Sequence, residues 1–184
     1  MEPRRNLFLI AAGRKFTGKT TIGLVIAKAA GKKICVLDTD EHPAYNDFKN
    51  MPLEKLHTWR EGNIKVITSE PEQAMTILNK SCSNAFVMCE DAAKYITHNI
   101  QREAKAFIID HRKRNFDVLC MFHFLADIPP YLCKQYDYMI LFKTGDNLEE
   151  KQKKFANWHK ISVVAKRILK HDDMHYCEKI SIDE

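Results

Sequence analysis

Residues 13–20 of this chain read Gly13-Arg14-Lys15-Phe16-Thr17-Gly18-Lys19-Thr20 and match the pattern G-x-x-x-x-G-K-[ST] at every fixed position. An apolar run at 7–12 precedes the motif, and a helix-like run at 21–28 follows it. A glycine-bearing turn of this kind lets backbone N–H groups surround phosphate oxygens, while the following helix directs its positive end toward them. The motif therefore predicts a strand, a phosphate-binding loop and a helix in direct succession.

Two side chains of this loop have separate roles in phosphate chemistry. The Lys19 ammonium reaches the β- and γ-phosphates, and the Thr20 hydroxyl is a ligand of Mg²⁺. We therefore predict that the chain binds ATP with Mg²⁺, with Lys19 as a catalytic residue and Thr20 as a metal ligand. The predicted nucleotide-binding residues are Gly13, Arg14, Lys15, Phe16, Thr17, Gly18, Lys19, Thr20 and Thr21.

The rest of the chain alternates apolar runs with helix-like segments, which is typical of an α/β protein with a mainly parallel sheet. Strands are predicted at 7–12, 33–38, 64–68, 85–89, 118–123 and 138–142, with a last strand near 175–182. Helices are predicted near 18–30, 70–81, 92–114 and 129–135, with a charged helix from 147 to about 170. The segment 41–62 has two prolines and little periodicity, so we expect an irregular excursion there.

The length and composition narrow the class of protein. A chain of 184 residues suits one domain, and we predict a single domain over 1–184, with a core at about 5–145 and a C-terminal appendage at about 146–184. The net charge of +5 permits contact with nucleic acid without requiring it. No apolar run is long enough for a transmembrane helix, and the six cysteines lack the clustered spacing of a disulfide framework or zinc site. We therefore expect a cytoplasmic protein with buried, reduced thiols and no membrane partner.

Acidic residues follow two of the predicted strands. Asp38 ends the strand at 33–38, and Glu90-Asp91 follow the strand at 85–89. A phosphate-binding loop needs an acid near Mg²⁺, and adjacent acids allow one carboxylate to orient the metal while the other activates water. We predict Glu90 as a metal ligand and both Glu90 and Asp91 as catalytic residues. Asp38 is interpreted as either a supporting residue or a turn residue.

His123 ends the predicted strand that follows the acidic doublet in sequence. In a P-loop ATPase with an additional strand, a polar residue at this tip contacts the γ-phosphate or the attacking water. We therefore predict that His123 is a catalytic residue that acts by hydrogen bonding.

Two further groups of residues are open to two interpretations. The basic stretch between the acidic doublet and His123 is either a solvated helix face or a contact for phosphates of ATP or DNA; it comprises Arg102, Lys105, Arg112, Lys113 and Arg114. His171 and His175 have the i,i+4 spacing of a metal-binding pair in a helix. No third strong ligand accompanies them, so we favour a hydrophilic turn.

The order of these motifs resembles the FtsK–HerA superfamily. The resemblance rests on 13–20, on Phe86-Val87-Met88-Cys89-Glu90-Asp91-Ala92, and on 111–117 leading to Phe122-His123. Within the superfamily, the chain is most similar to the small zonula occludens toxin (Zot)-like ATPases of phages and prophages, a similarity that 128–132 and 141–144 strengthen. It covers about residues 5–145. It implies a RecA-like P-loop NTPase core, whose mainly parallel sheet is flanked by helices and has an extra strand between the P-loop strand and the acidic-doublet strand in sequence.

The resemblance also assigns roles to individual residues. Lys19 and Thr20 match the family's P-loop pair, and Glu90-Asp91 match its acidic doublet in reversed order, which leaves open which of the two is the base. His123 stands where many members carry Gln or another polar sensor. Arg112 falls in an Arg-rich element where members place an arginine that acts on a neighbour's nucleotide, so the resemblance makes it a catalytic residue in trans.

The function implied is an ATP hydrolase that acts on the β–γ phosphoanhydride bond. The family implies assembly into homo-oligomeric rings and DNA as a partner, so we expect a subunit of a DNA-translocating, genome-packaging or virion-assembly motor. Two alternatives remain: a small-molecule kinase that uses Asp38 as its acid and 112–114 as a lid, and a nucleotide-dependent scaffold with little turnover. A GTPase is disfavoured because no Asn-Lys-x-Asp guanine signature is present; the run at 79–82 lacks the carboxylate.

Overall fold

The computed structural model describes residues 6–150 and 153–181. The strands are β1 (Phe8–Ala12), β2 (Lys33–Asp38), β3 (Lys49–Asn50), β4 (Ile64–Ile67), β5 (Ala85–Cys89), β6 (Phe116–Phe122), β7 (Tyr138–Leu141) and β8 (Glu178–Ser181). The helices are α1 (Lys19–Ala29), α2 (Pro71–Ser81), α3 (Arg102–Ile109) and α4 (Trp158–Lys170).

Within the described residues the eight strands form one sheet in the order β3-β4-β2-β5-β6-β1-β7-β8. Every pairing is parallel except that of β7 with β8. β2, β3 and β4 lie between β1 and β5 in sequence, whereas in the sheet β6 alone separates β1 from β5. All six strands predicted before residue 143 are present, and the mainly parallel α/β fold is confirmed.

Helices cover both faces of the sheet. On β6, Val118, Cys120 and Phe122 belong to a core cluster that also contains residues of α2, α3 and α4. Leu119 and Met121 of the same strand belong to a second cluster on the face of α1. Because both faces are covered, the parallel strands read as continuous apolar runs rather than as alternating patterns.

The predicted helix at 92–114 is wrong in extent. The structure has a short 3₁₀ turn at Ala92–Lys94, an irregular segment at 95–101, then α3 and a 3₁₀ turn at His111–Arg114. In the irregular segment the Thr97 hydroxyl accepts a hydrogen bond from the Asn99 amide at 3.2 Å. Side chains of this kind offer the backbone an alternative to helical hydrogen bonds, so the helix begins only at Arg102.

Other predicted boundaries also differ. Near 129–135 only Leu132–Lys134 forms a single 3₁₀ turn, since a residue that precedes proline is disfavoured in the α region and Pro130 imposes this on Pro129. The charged helix is confined to α4 among the described residues. Residue 5 of the predicted core, residues 151–152 and Ile182 of the predicted last strand lie outside the described residues.

Two expectations from the sequence concern the state of the cysteines and the presence of a membrane-spanning helix. All six cysteines are free thiols, five of them buried and Cys177 half-buried. Among the described helices, not one combines the length and the apolar character that crossing a membrane requires.

Side chains from both neighbouring strands hold the start of β1. The Leu7 amide donates to Asp117 Oδ1 at 2.7 Å, and the Phe8 amide donates to Asp137 Oδ2 at 2.8 Å. Asp117 lies in β6, and Asp137 immediately precedes β7. The two carboxylates therefore satisfy backbone donors at the strand's beginning and fix its position between its neighbours.

The end of β1 is held in the same way by backbone groups. The Gly13 amide donates to the Phe122 carbonyl at 3.1 Å, and the Arg14 amide donates to the Lys143 carbonyl at 2.8 Å. These bonds join the first residues of the phosphate-binding loop to the chain leaving β6 and β7. The loop therefore starts from a fixed point at the carboxyl edge of the sheet.

Replacement of Gly13 by alanine tests this close approach. A Cβ at Gly13 would lie 2.6 Å from Phe142 Cβ, which is shorter than van der Waals contact. Gly62 also has a positive φ, but nothing lies within 4 Å of its added Cβ. We expect Gly13→Ala to lower the free energy of unfolding by about 1–3 kcal/mol more than the control Gly62→Ala, because only Gly13→Ala adds overpacking to backbone strain. Urea unfolding followed by circular dichroism measures the difference, and equal losses in the two variants would contradict it.

Candidate phosphate-binding site

The loop between β1 and α1 relies on left-handed backbone at two positions. Phe16 has φ 64° and Gly18 has φ 90°. Phe16 is 86% exposed at this turn, and Gly18 leads directly into Lys19, the first residue of α1. The loop therefore ends at a helix N-terminus, where backbone N–H groups have no partners within the helix.

Lys19 is buried inside the loop that precedes it. Its Nζ donates to the carbonyl oxygens of Gly13 at 2.6 Å and of Arg14 at 2.7 Å. Burial lowers the pKa of Lys19 to about 8, although the charges of Glu90 and Asp91 act in the opposite direction. An anionic ligand beside Nζ would favour the charged form of this side chain.

Glu90 follows β5 and meets the first turn of α1. Thr20 Oγ1 donates to Glu90 Oε1 at 2.9 Å, and the Tyr45 hydroxyl donates to the same oxygen. Burial raises the pKa of Glu90, while the hydrogen bonds from Tyr45 and Thr20 act to lower it. The two predicted metal ligands, Thr20 and Glu90, are thus in direct contact.

Asp91 turns away from Glu90, because its own backbone has φ 44° in the left-handed region. Its Oδ1 lies 2.7 Å from His123 Nε2, and its Oδ2 lies 3.2 Å from Lys94 Nζ. The two adjacent acids therefore face different partners: Glu90 contacts α1, and Asp91 contacts the tip of β6.

His123 connects Asp91 to the lysine of the loop. Lys19 Nζ lies 3.4 Å from His123 Nδ1. A lysine ammonium only donates, so Nδ1 accepts here and the proton of a neutral imidazole resides on Nε2, which faces Asp91. We assign this tautomer from the two contacts. Lys19, His123 and Asp91 thus form one polar chain across the ends of β1, β6 and β5.

The Asp38 carboxylate has a different structural role from those of Glu90 and Asp91. It is buried, and its two oxygens accept hydrogen bonds from backbone amides: Asp40 N at 3.2 Å and His42 N at 2.8 Å. The carboxylate therefore shapes the turn after β2. This geometry agrees with the interpretation of Asp38 as a turn residue.

Lys19, Glu90, Asp91 and His123 lie around a cleft of about 520 Å³ at the carboxyl edge of the sheet. It is lined by Lys15, Phe16, Gly18, Lys19, Thr20, Thr21, Asp40, His42, Glu90, Asp91, His123 and His175. Of the predicted nucleotide-binding residues, Gly13, Arg14 and Thr17 form the base of the loop instead. Thr17 Oγ1 donates to the Arg14 carbonyl at 2.8 Å, which ties the loop to itself.

Sequence reasoning missed several residues that line this cleft or contact its acidic residues. His42 and Tyr45 lie in the excursion at 41–62, where no periodic pattern identifies them. Lys94 joins Asp91 to Asp40, with Nζ 2.5 Å from Asp40 Oδ1. Lys94 falls in the region predicted as one long helix. Its spacing of three residues from Asp91 was the one available signal, since such pairs are neighbours in a helical turn.

The segment after α4 brings His175 to the loop. An added Cβ at Gly18 would lie 3.3 Å from His175 Nδ1, and the His175 amide donates to Asp173 Oδ1 at 2.8 Å. His171 instead stacks on Tyr176, with ring centroids 3.9 Å apart. The two histidines therefore point to different neighbours. Across the described residues, no group of three or more His, Cys, Asp or Glu side chains is arranged to hold a metal ion.

Arg112 lies apart from the cleft. It precedes β6, at the amino edge of the sheet, whereas the loop follows the carboxyl end of β1 and the two strands are parallel. A strand of seven residues spans roughly 20 Å. Arg112 Nη2 is 2.9 Å from Asp137 Oδ1, and the arginine side chain is 48% exposed. The structure therefore does not bring Arg112 to the phosphate-binding loop of its own chain.

Comparison with known proteins identifies the fold. No family model and no curated protein matches the sequence. The genome-packaging NTPase B204 from Sulfolobus turreted icosahedral virus 2, in complex with ATP-gammaS, has a TM-score of 0.70 and 17% identity over 100% of this chain and 94% of that chain. The DNA-packaging ATPase B204 from Sulfolobus turreted icosahedral virus has a TM-score of 0.72 and 14% identity over 98% and 95%. The N-terminal domain of zonular occludens toxin from Neisseria meningitidis has a TM-score of 0.50 and 11% identity over 77% and 79%. The P-loop NTPase fold expected from the sequence resemblance is confirmed.

The lowered pKa of Lys19 predicts how anion binding depends on pH. With a pKa of about 8, Lys19 is mostly charged at pH 7 and mostly neutral at pH 9, so affinity for tripolyphosphate should fall as the pH rises from 7 to 9. Calorimetry with tripolyphosphate measures this change. Lys19→Ala should bind more weakly at pH 7 and show little further loss at pH 9. A wild-type affinity that stays constant or rises over this range would contradict the prediction.

Proposed function

We propose that this chain is a Mg²⁺-dependent ATPase that hydrolyses the β–γ phosphoanhydride bond of ATP. One observation carries the proposal: Lys19 after β1, Glu90-Asp91 after β5 and His123 after β6 converge on a single cleft. A lysine in a phosphate-binding loop, a carboxylate beside a loop hydroxyl, and a second carboxylate near a polar residue are groups that phosphoryl transfer to water uses.

The loop is proposed to bind the triphosphate. Backbone N–H groups at the start of α1 and the positive end of its dipole favour the negative phosphates. Lys19 Nζ directs its three donors to the carbonyls of Gly13 and Arg14 and to His123 Nδ1, and we propose that a phosphate oxygen replaces one of these acceptors. As the bond to the leaving group weakens, this ammonium stabilises the charge that spreads over the phosphate oxygens.

Thr20 and Glu90 fit the requirements of a Mg²⁺ site. Mg²⁺ prefers oxygen ligands and is commonly held by one or two carboxylates together with substrate phosphates and water. Thr20 donates its proton to Glu90 Oε1, which leaves lone pairs of the Thr20 oxygen available to a cation. When bound, Mg²⁺ would neutralise phosphate charge. We propose Thr20 and Glu90 as its protein ligands.

Asp91 and His123 are proposed to act on the attacking water. Asp91 accepts a proton from that water, whose oxygen forms a bond to the γ-phosphorus. The bond from the γ-phosphorus to the bridging oxygen breaks, and the products are ADP and phosphate. We propose that His123, whose Nε2 lies 2.7 Å from Asp91 Oδ1, helps to position this carboxylate and the attacking water. This assignment makes Asp91 the base and Glu90 the metal ligand.

The wider role that we propose is that of a motor subunit in DNA translocation, genome packaging or virion assembly. The proteins named above as genome-packaging NTPase and DNA-packaging ATPase share this fold over nearly their whole length. A net charge of +5 is favourable for contact with DNA. Assembly into a homo-oligomeric ring and DNA as a partner belong to this proposal.

Phosphate release from ATP tests the proposed activity. Purified protein should release phosphate when Mg²⁺ is present, and release should increase with added DNA. Lys19→Ala should lower the rate by about 10²-fold or more, because it removes a charge-assisted contact made in the transition state. Lys28→Ala, on the exposed face of the same helix, is the matched control and should keep the wild-type rate. Transfer of phosphate to a small-molecule acceptor would favour the kinase, and tight ATP binding without turnover would favour the scaffold.

Three carboxylate variants in the same assay separate the acids. Glu90→Gln and Asp91→Asn should each lower turnover by about 10²-fold. Asp38→Asn should lose far less turnover than either doublet variant and should lower the unfolding midpoint, since the carboxylate binds two backbone amides. An inactive Asp38→Asn beside two active doublet variants would reverse the assignment and support the kinase-like arrangement.

The role of Arg112 depends on a second copy of the chain. Its distance from its own loop requires that any contact with phosphate occur across a subunit boundary. We predict that Arg112→Ala is inactive alone and that mixing it with Lys19→Ala restores part of the turnover, since some interfaces then pair an intact loop with an intact arginine. Specific activity should rise with protein concentration.

Arg102→Ala, at an exposed position of α3, is the control and should stay active. A monomer with constant specific activity and no rescue would leave Arg112 with only its ion pair to Asp137, worth at most about 1 kcal/mol.

A further inference from the structure

Tyr45 is a buried residue in a segment that carries no recognisable motif. It ends the short 3₁₀ turn Pro43–Tyr45 and is fully buried on the α1 face of the sheet. Its ring packs against those of Phe48, with centroids 5.7 Å apart, and His42, with centroids 5.8 Å apart. The ring lies among these aromatic groups, and its hydroxyl donates a hydrogen bond to Glu90 Oε1.

Two hydroxyl groups therefore meet on one carboxylate oxygen. Thr20 Oγ1 approaches Glu90 Oε1 from α1 at 2.9 Å, and the Tyr45 hydroxyl approaches it from the segment after β2. The Glu90 amide also donates to the Leu37 carbonyl at 3.1 Å, which fixes the backbone beneath the side chain. Rotation of the carboxylate about its last bond would break both hydroxyl contacts, so its orientation is defined. Neither hydroxyl donates to Oε2, the second carboxylate oxygen of Glu90.

The turn that delivers Tyr45 is itself held in place. The Asp38 oxygens accept from the Asp40 and His42 amides, and Pro43 begins the 3₁₀ turn. Proline fixes its own φ, which suits the first position of such a turn. The path from Asp38 to Tyr45 is thus constrained at Asp40, His42 and Pro43.

We infer that Tyr45 is a positioning residue for Mg²⁺–nucleotide binding: its hydroxyl orients Glu90, so that the carboxylate and the Thr20 hydroxyl together receive the cation. The inference rests on the proposed function, because Glu90 matters in this way only if Mg²⁺ and a nucleotide bind the cleft. Tyr45 does not contact the substrate. Its effect passes through Glu90, which distinguishes it from the catalytic residues.

Tyr45→Phe isolates this role because it removes a single oxygen and retains the ring that packs against Phe48. The matched control is Tyr136→Phe. Tyr136 is also buried, and its hydroxyl donates to Asn157 Oδ1 at 3.2 Å, away from the cleft. Both variants lose one buried hydroxyl and one hydrogen bond, so a general loss of stability should affect them alike.

The experiment measures ATP-gammaS affinity by calorimetry, once with Mg²⁺ and once with EDTA. The ratio of the two affinities reports the gain due to the metal, independently of turnover. Tyr45→Phe should reduce this gain by about tenfold, the scale of one hydrogen bond to a charged group, with the EDTA affinity unchanged. Tyr136→Phe should leave both affinities at wild-type values. In a Glu90→Gln background, Tyr45→Phe should have no further effect on the gain, since both act on one carboxylate.

The other possible results would contradict the inference, the proposed metal site or the proposed hydrolase activity. A wild-type gain in Tyr45→Phe, or equal effects of Tyr45→Phe and Tyr136→Phe, would overturn the inference and leave the proposed ATPase intact. Additive effects of Tyr45→Phe and Glu90→Gln would also overturn it. Wild-type protein that binds ATP-gammaS no better with Mg²⁺ than with EDTA would overturn both the inference and the proposed metal site. Mg²⁺-dependent binding without ATP turnover would overturn the hydrolase alone, and the affinity ratios would still decide the role of Tyr45.

Discussion

The pairing of β6 with both β1 and β5 is the constraint on which the site depends. Ala12 is in register with Phe122, and Cys89 is in register with Cys120, so the three strands end near one another at the same edge of the sheet. Because parallel strands direct their carboxyl ends to one side, the residues that follow them meet there. Lys19, the acidic doublet and His123 come from distant parts of the chain. This strand order brings them to one cleft.

The electrostatics of the cleft follow from burial of unlike charges. Lys19 and Glu90 are both largely removed from water, and burial disfavours the charged form of each: it lowers the pKa of the lysine and raises that of the carboxyl group. The opposite charges and the Thr20 and Tyr45 hydroxyls counter this effect.

The segment after β2 shows how structure without periodicity contributes to such a site. Asp38 binds the backbone amides that follow it, the chain turns, and Tyr45 enters the core beneath Glu90. A carboxylate at a strand end therefore serves the site through the conformation of its own loop. In the same manner, pairing of β8 with β7 anchors the tail that carries His175 to the loop. Both contributions come from segments that lack any motif.

The sequence by itself determined the features whose cause is local. Gly13 to Thr20 encode the strand, loop and helix, because glycine geometry, a lysine and a helix start lie within one short stretch, and buried parallel strands appear as apolar runs. It also identified Glu90, Asp91 and His123 as strand-end residues. Only the structure showed that Asp38 binds backbone amides and that the region from 92 to 114 breaks into three short pieces. It also showed that Arg112 lies at the opposite edge of the sheet, that Tyr45 contacts Glu90 and that His175 lines the cleft. The places of Arg112, Tyr45 and His175 depend on contacts between residues far apart in the chain. The turn at Asp38 and the break at 95–101 instead rest on short-range hydrogen bonds that leave no periodic pattern in the sequence. Local periodicity carries no information about which distant residues become neighbours.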